Sequence, residues 1–466
     1  MKKAIRNTGL FLVLNAVFVV LLVLFAMNRN LTNEMMSLVV PMLIVTSGAL
    51  IYTGYYEGDM LTAMSAALLL EIGQMTQVLI YGEGGLSLKS KILLLVTPIV
   101  GAVGIWLVSC LETKDYNNIA IGKKYIIISS GLLIFVLLFL LAFGKEKNGT
   151  KAWVEIGAIS IQPTEFLKPL YLFFHAVLWS SSLDRRKCFL YSTVLTVVVA
   201  LLLLVINELG TLLVILLLWI ILNFIFSEKL IHSVIALLGT VTAILSGYGI
   251  LSLVHSKVVK LNEMGEEVNG IFLRLNIIYR KLHDRIMIVF DEEQLFSNAD
   301  YRNGDGYQFY KAREMILKGG LFGSTSSTHV PVEDSDYAFV GLILRCGIVF
   351  AIVVLVLFFF IFYRTVIKSS HIEDKFESVI LTGTSLSLIL PTFINVMGTT
   401  NFSFMTGICI PFISNGGTSM MLTTFNIMLL LWGTCSRRPG LCSRITHNSD
   451  DINNKKKAQI EVPFTR

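Results

Sequence analysis

Three carboxylates fall within four residues in the run Pro331-Val332-Glu333-Asp334-Ser335-Asp336-Tyr337, directly before a long apolar stretch. Carboxylates at the mouth of an apolar helix suit general-base chemistry or the binding of a divalent cation. They also suit plain capping, with Ser335 or Asp336 satisfying the first amides of the next helix, and position alone favours the cap. A second group is Lys151-Ala152-Trp153 followed by Gln162-Pro163-Thr164-Glu165-Phe166-Leu167-Lys168. Pro163 marks a helix start. Glu165 and Lys168 are three apart, share a helix face and can pair, which offsets part of two desolvation costs. A topology anchor with Trp153 at the interface explains the same residues equally well. Third, Asn207-Glu208-Leu209-Gly210-Thr211 opens an apolar run and places Glu208 at the positive end of a helix dipole. N-capping by Asn207 is the simpler reading there. Fourth, Thr406–Ser419 puts Pro411, Gly416, Gly417 and several hydroxyls inside an apolar region. Such a density of breakers means non-helical backbone, tolerated at membrane depth only where protein or a wet cavity covers it. Glu71 and Gln74 lie one turn apart in an apolar segment, and their spacing assigns them no role.

The elements that must hold these groups are membrane helices. Of 466 residues 54% are hydrophobic and 15% charged, with a mean hydropathy of +0.72. Soluble domains carry about 25% charged residues. A spanning helix needs about 20 apolar residues. Stretches of that kind lie at 9–27, 36–55, 61–81, 92–112, 124–144, 164–181, 188–206, 209–227, 232–255, 336–363, 377–398 and 402–435. The last is long enough for a re-entrant turn and a final span. The first follows Lys2, Lys3 and Arg6 but is too long for a signal peptide and lacks a cleavage site, so it reads as a retained span. The expected fold class is an all-α polytopic membrane protein.

Basic residues cluster at Lys2/Lys3/Arg6, Lys123/Lys124, Arg185/Arg186/Lys187, Arg364/Lys368 and Arg437/Arg438, and again at Lys455–Lys457. With twelve spans and both termini cytoplasmic, all of them fall inside, as the positive-inside rule requires. The polar loop 256–335 then falls outside, with short amphipathic helices expected at Ile277–Leu282 and Ala312–Leu317. The tail 437–466 reads as cytoplasmic and disordered. Its charge fits anionic membrane lipids, not nucleic acid. The six cysteines imply no disulfide framework and have no zinc-ligand spacing.

With these residues in view, the chain resembles the SEDS family (shape, elongation, division and sporulation), typified by FtsW and RodA, over roughly 61–435. The resemblance is carried by Lys151-Ala152-Trp153 with Gln162–Lys168, and by Thr406–Ser419, which is similar to the family's T-G-x-x-x-P-F-x-S-x-G-G-S-S signature. Leu209-Gly210-Thr211, Gly306-Tyr307-Gln308, Gly319-Gly320 with Gly323, and Ser335-Asp336-Tyr337 follow in family order. The resemblance implies a ten-helix core at 57–436, two additional N-terminal transmembrane helices within 1–56, and a large extracellular loop at 256–335 before the third-last span. It implies a peptidoglycan glycosyltransferase of the bacterial cytoplasmic membrane that polymerises lipid II beside a class B penicillin-binding protein, in division, elongation or sporulation. The family's essential aspartate corresponds to Asp336, which turns that residue from cap to catalyst. Its Glu/Lys pair corresponds to Glu165 and Lys168. Several positions depart from the family pattern: Lys151 for arginine, Glu208 for aspartate, Val332 for glutamate, Leu344-Arg345 for an acidic pair, and Asn415 for tyrosine.

Joining the 4-hydroxyl of one sugar to the anomeric carbon of another, with loss of a lipid pyrophosphate, needs a base and positive charge near the leaving phosphates. The expected base is Asp336. Lys151, Arg285 or a divalent cation such as Mg or Mn is expected to neutralise the pyrophosphate. Trp153, Gln162, Glu165, Lys168, Glu208, Gln308 and Ser414 complete the expected substrate contacts. A lipid II flippase would use the same cavity without Asp336 as a base, and a non-catalytic scaffold for a transpeptidase is the other alternative, given the altered acidic positions.

Overall fold

The structure, a computed structural model, describes residues 2–82, 119–147, 150–156, 159–264, 268–290 and 306–435, with isolated positions between them. The stretch 92–112 and the tail 437–466 lie outside the described residues. Nine of the described helices are long and apolar enough to cross a membrane, and the protein is a multi-pass all-α membrane protein.

In chain order these elements are α1 (Lys2–Met27), α2 (Thr32–Tyr55), α3 (Met60–Tyr81) and α4 (Ile119–Phe143). A small antiparallel sheet follows, β1 (Lys145–Lys147), β2 (Thr150–Ile156) and β3 (Ile159–Ile161), in the order β1-β2-β3. A 3-10 turn (Pro163–Phe166) leads into the short α5 (Leu167–Ser180). Then come α6 (Arg185–Ile206), α7 (Leu209–Phe226), α8 (Leu230–Glu263), α9 (Gly270–Phe290), α10 (Tyr307–Gly319), α11 (Ala338–Cys346), α12 (Ile348–Ser370), α13 (Lys375–Thr399) and α14 (Gly417–Thr434).

The structure differs from the sequence expectation at the breaks. The stretch 336–363 is two helices, because Gly347 takes φ +90. A side chain there would collide with the Leu321 carbonyl. The amides freed by the break are used: Ile348 N donates to Gly320 O at 2.9 Å and Val349 N to Leu321 O at 3.3 Å. At membrane depth such amides need a protein partner. The expected interfacial helices at Ile277–Leu282 and Ala312–Leu317 are the middles of the longer α9 and α10. The loop that contains them is largely helical among its described residues, and α8 runs eight residues into it.

Two apolar clusters form the interior. One joins α1, α2, α3, α11, α12 and α14; the other joins α4, α5, α6 and α7. α13 contributes to both. α3 and α13 are the central helices, most of their length buried, whereas α8 is almost wholly exposed. Lipid tails are as apolar as leucine, so helices in a bilayer associate by close packing of small residues. α3 supplies Ala63, Ser65, Ala66, Ala67 and Gly73, all buried.

Candidate functional site

Between the two clusters, where the broken elements meet, lies a cavity of about 450 Å³. Several of its walls are elements whose helix starts late or stops early. The 3-10 turn before α5 contributes Glu165. Lys168, in the first turn of α5, donates to both Glu165 carboxylate oxygens at 2.8 and 2.9 Å. The pair is only 10% and 15% exposed. α6 ends because Asn207 takes the left-handed conformation, φ +65. Asn207 is therefore the C-cap of α6 and not the N-cap of α7. Glu208 takes the N-cap position instead, and accepts from Thr211 Oγ1 at 3.3 Å and Gln162 Nε2 at 3.5 Å. Burial, with the Glu165 charge adding to it, pushes the Glu208 carboxyl up to about 7.

The three carboxylates of 331–337 separate into three environments. Glu333 is fully buried, bonded to Arg345 and to His329 Nδ1 at 2.7 Å. Asp334 accepts from Tyr81 OH at 2.6 Å. Asp336 lines the cavity. The N-cap of α11 is Tyr337, without a side-chain cap bond, so Asp336 is not spent on capping. Burial holds the Asp336 carboxyl above its ordinary value. The Arg285 charge works against that rise and the Asp334 charge works with it. Arg285, on α9, lines the same cavity, its guanidinium lowered by burial and supported by the charges of Asp336 and Glu208.

The Asp336 loop is fixed by donors that read its backbone. Gln77 Nε2 donates to Asp334 O at 2.9 Å and Ile413 O at 2.6 Å. Asn395 Nδ2 donates to Asp336 O at 2.8 Å and Ile408 O at 2.6 Å. Asn415 N donates to Asp334 O at 2.8 Å. The loop and its partner segment 406–416 thus form one unit held on α3 and α13. Both contain a non-glycine residue with positive φ, Val332 at +55 and Phe412 at +65. Such conformations persist only where the surroundings over-determine them. The segment reaches α3 at Gly73, where any side chain would strike the Phe412 carbonyl. It then delivers Gly416, Gly417 and Thr418, the uncapped N-terminus of α14, to the cavity wall.

Of the expected site residues, Trp153, Gln162, Glu165, Lys168, Glu208, Arg285 and Asp336 line this one cavity. Three do not. Lys151 donates to Leu141 O at 2.6 Å, so its charge caps the last turn of α4. Gln308 sits half-buried in the first turn of α10, away from the cavity. Ser414 is buried, with its hydroxyl donating to Ser335 O at 2.6 Å and accepting from Ile410 N at 3.0 Å; it holds the loop. The sequence reading missed Lys147, which lines the cavity 5.5 Å from the Trp153 ring centre. The β1-β2 pairing brings it there, and no motif marks it. Among the described residues no three carboxylate, histidine or cysteine groups are placed to hold a metal ion. The positive groups that line the cavity are Lys147, Lys168 and Arg285.

The family of FtsW, RodA and SpoVE, described as cell cycle proteins, matches residues 55–437. The chain is 25% identical over 302 residues to the probable peptidoglycan glycosyltransferase FtsW of Bacillus subtilis (strain 168), covering 62% of this chain and 68% of that one. It is 24% identical over 340 residues to stage V sporulation protein E of the same organism, covering 71% and 83%. In three dimensions it is similar to a chain of a peptidoglycan synthase complex, in a study of how polymerization and crosslinking are coordinated (TM-score 0.58, 19% identity, 82% of this chain and 98% of that one). It is also similar to the rod shape determining protein RodA of Thermus thermophilus (TM-score 0.51, 18% identity, 82% and 98%). The motifs, the helical architecture and a match that spans most of the sequence agree: the chain belongs to the FtsW/RodA/SpoVE family, the SEDS family of membrane proteins.

Proposed function

We propose that the protein is a peptidoglycan glycosyltransferase that polymerises lipid II at the outer face of the bacterial cytoplasmic membrane, with Asp336 as general base. The observation that carries this reading is the meeting of Asp336, Arg285 and the Glu165–Lys168 pair in one cavity built from broken helices. The Asp336 carboxylate takes the proton of the acceptor 4-hydroxyl. The freed oxygen forms a bond to the donor's anomeric carbon, and the bond from that carbon to the lipid pyrophosphate breaks. Arg285 and the free amides at the start of α14 face the negative charge that leaves. The Glu165–Lys168 ion pair keeps a charged wall without adding net charge.

The same proposal sets the topology. Lys123 and Lys124 near the start of α4, Arg185 to Lys187 at the start of α6, and Lys368 at the end of α12 all lie at helix ends opposite the cavity. The positive-inside rule then puts the cavity outside and both termini inside. The hairpin α1–α2 precedes the family match and is an addition to a ten-helix core. A class B penicillin-binding protein is the proposed partner, in keeping with the synthase complex to which the fold is similar.

The test is purified protein with its candidate transpeptidase on lipid II, with the products sized. Asp336→Asn is expected to abolish polymerisation while membrane insertion stays normal. Full activity in that variant overturns the assignment of the base. Lipid II flipping that survives Asp336→Asn, with no polymer from the parent protein, makes it a flippase. A parent that neither polymerises nor flips but binds the transpeptidase is a scaffold.

A further inference from the structure

We infer that the α1–α2 hairpin positions the Asp336 loop through Arg29, a residue remote from the cavity. Arg29 lies in the turn between α1 and α2. Its guanidinium forks over two backbone carbonyls, Ser324 O at 3.1 Å and Arg345 O at 3.0 Å. Those carbonyls belong to two different segments. Ser324 follows α10, and Arg345 closes α11. Arg29 therefore staples the strap 320–324 to the end of α11, beside the break at Gly347. Ser324 N completes the staple by donating to Leu344 O at 2.7 Å.

From that point the connection to the cavity is short. The Arg345 side chain turns back from the stapled residue. Its Nε donates to Leu79 O at 2.7 Å on α3 and its Nη1 to Gly341 O at 3.2 Å. Nη1 also binds Glu333, whose carboxylate is fully buried. Glu333 stands three residues before Asp336, in the loop whose backbone α3 and α13 clasp. The path runs Arg29, the Arg345 main chain, the Arg345 guanidinium, Glu333, then Asp336. The middle of the hairpin is also held. Asn15 Nδ2 of α1 donates to Thr46 Oγ1 of α2 at 2.9 Å, within a buried cluster that faces Glu71 of α3. With its middle fixed on α3 by this polar cluster and its tip fixed by Arg29, the hairpin acts as a brace for the loop.

Arg is suited to this task because its planar fork reaches two carbonyls at once. An ammonium at the same place satisfies one carbonyl and leaves the staple open. The role is positioning: Arg29 touches neither the cavity nor any group assigned to the reaction.

The inference rests on the proposed role of Asp336, so the experiment has two readouts that fail separately. The first is amide hydrogen exchange in the full-length protein in lipid. Arg29→Ala is expected to speed exchange at Ser335, Tyr337 and Asn415, whose amides bond to Val332 O and Asp334 O, while residues 69–77 of α3 stay as protected as in the parent. The second is lipid II polymerisation, where kcat is expected to fall about tenfold with KM unchanged, the signature of a mis-set group acting in the transition state. Arg29→Lys is expected to fall between the two. Met27→Ala, on the lipid-facing end of α1, is expected to match the parent in both. Unchanged exchange at the three loop amides overturns the inference, as does a uniform rise across α3. If Arg29→Ala fails to accumulate, Arg29→Gln is read by the same amides. If the parent makes no polymer, the function proposal falls and the exchange result alone decides the brace.

Discussion

Glu333, Asp334 and Asp336 are chemically alike in sequence and unlike in place. Glu333 meets Arg345, Asp334 meets a tyrosine hydroxyl at the cavity edge, and Asp336 meets the cavity without such a bond to a neighbouring tyrosine. A base must be ionised to work, so activity falls as pH drops through its folded value. Burial raises the Asp336 carboxyl from its ordinary value, so the acidic limb of kcat/KM is expected at higher pH than an exposed aspartate would give. Arg285 opposes that rise, and Arg285→Gln is expected to move the limb further up while also weakening turnover. A pH series on both proteins checks this, and a limb that stays in place removes Arg285 from the vicinity of the base. Residue types and motif order named Trp153, Gln162, Glu165, Lys168, Glu208 and Asp336, which the fold brings to one cavity. Lys151, Gln308 and Ser414 were out of place because a motif records neighbours in sequence. Which carbonyl a lysine finds, or which loop a serine ties, depends on packing.

Among the elements, the spans were the legible part, since long apolar runs in lipid have few alternatives to a helix. The breaks were less so. Gly347 inside 336–363 is a single glycine in an apolar run, and its role emerges only when the 320–321 backbone arrives to take the amides it frees. The sheet β1–β3 has short strands whose alternation is too brief to read. The segment 406–416 was legible as broken, but its destination on α3 was not. Gly73 makes that contact possible. Gly73→Val is expected to push Phe412 away, break the Gln77 bond to Ile413 O, and lower polymerisation by roughly tenfold or more, about 1.4 kcal/mol at the barrier. Circular dichroism is expected to show unchanged helix content, because the substitution acts outward from α3. Loss of helix along with activity would mean that the glycine serves the helix itself.

At the level of the whole molecule, the α1–α2 hairpin covers a face of α3 that is not wholly apolar. Glu71 is fully buried there. If residues 2–56 are removed, that carboxyl faces lipid. A charged carboxylate at the centre of a membrane helix costs about 2.5–3.5 kcal/mol on insertion scales. The truncated protein is therefore expected to unfold at a lower temperature in lipid or detergent, and Glu71→Leu is expected to recover part of that loss in the truncated chain. A truncated protein as stable as the parent would mean that the hairpin is not needed to shelter Glu71. Neither the neighbours of Glu71 nor the reach of the hairpin was readable from the sequence, because both depend on which helices lie side by side.

The clasp on the Asp336 loop has a consequence for how such a protein can change. Gln77, Asn395 and Ser414 grip main-chain carbonyls of residues 334–336, 408 and 413, an atom that every amino acid carries. At those positions the loop is held mainly through its main chain, with the Asp334 carboxylate adding a bond from Tyr81 OH. The acid can therefore keep its place when a neighbouring side chain that makes no such bond is exchanged. Mutational tolerance and geometric accuracy, usually in conflict around a reactive group, are assigned here to different atoms of the same residues.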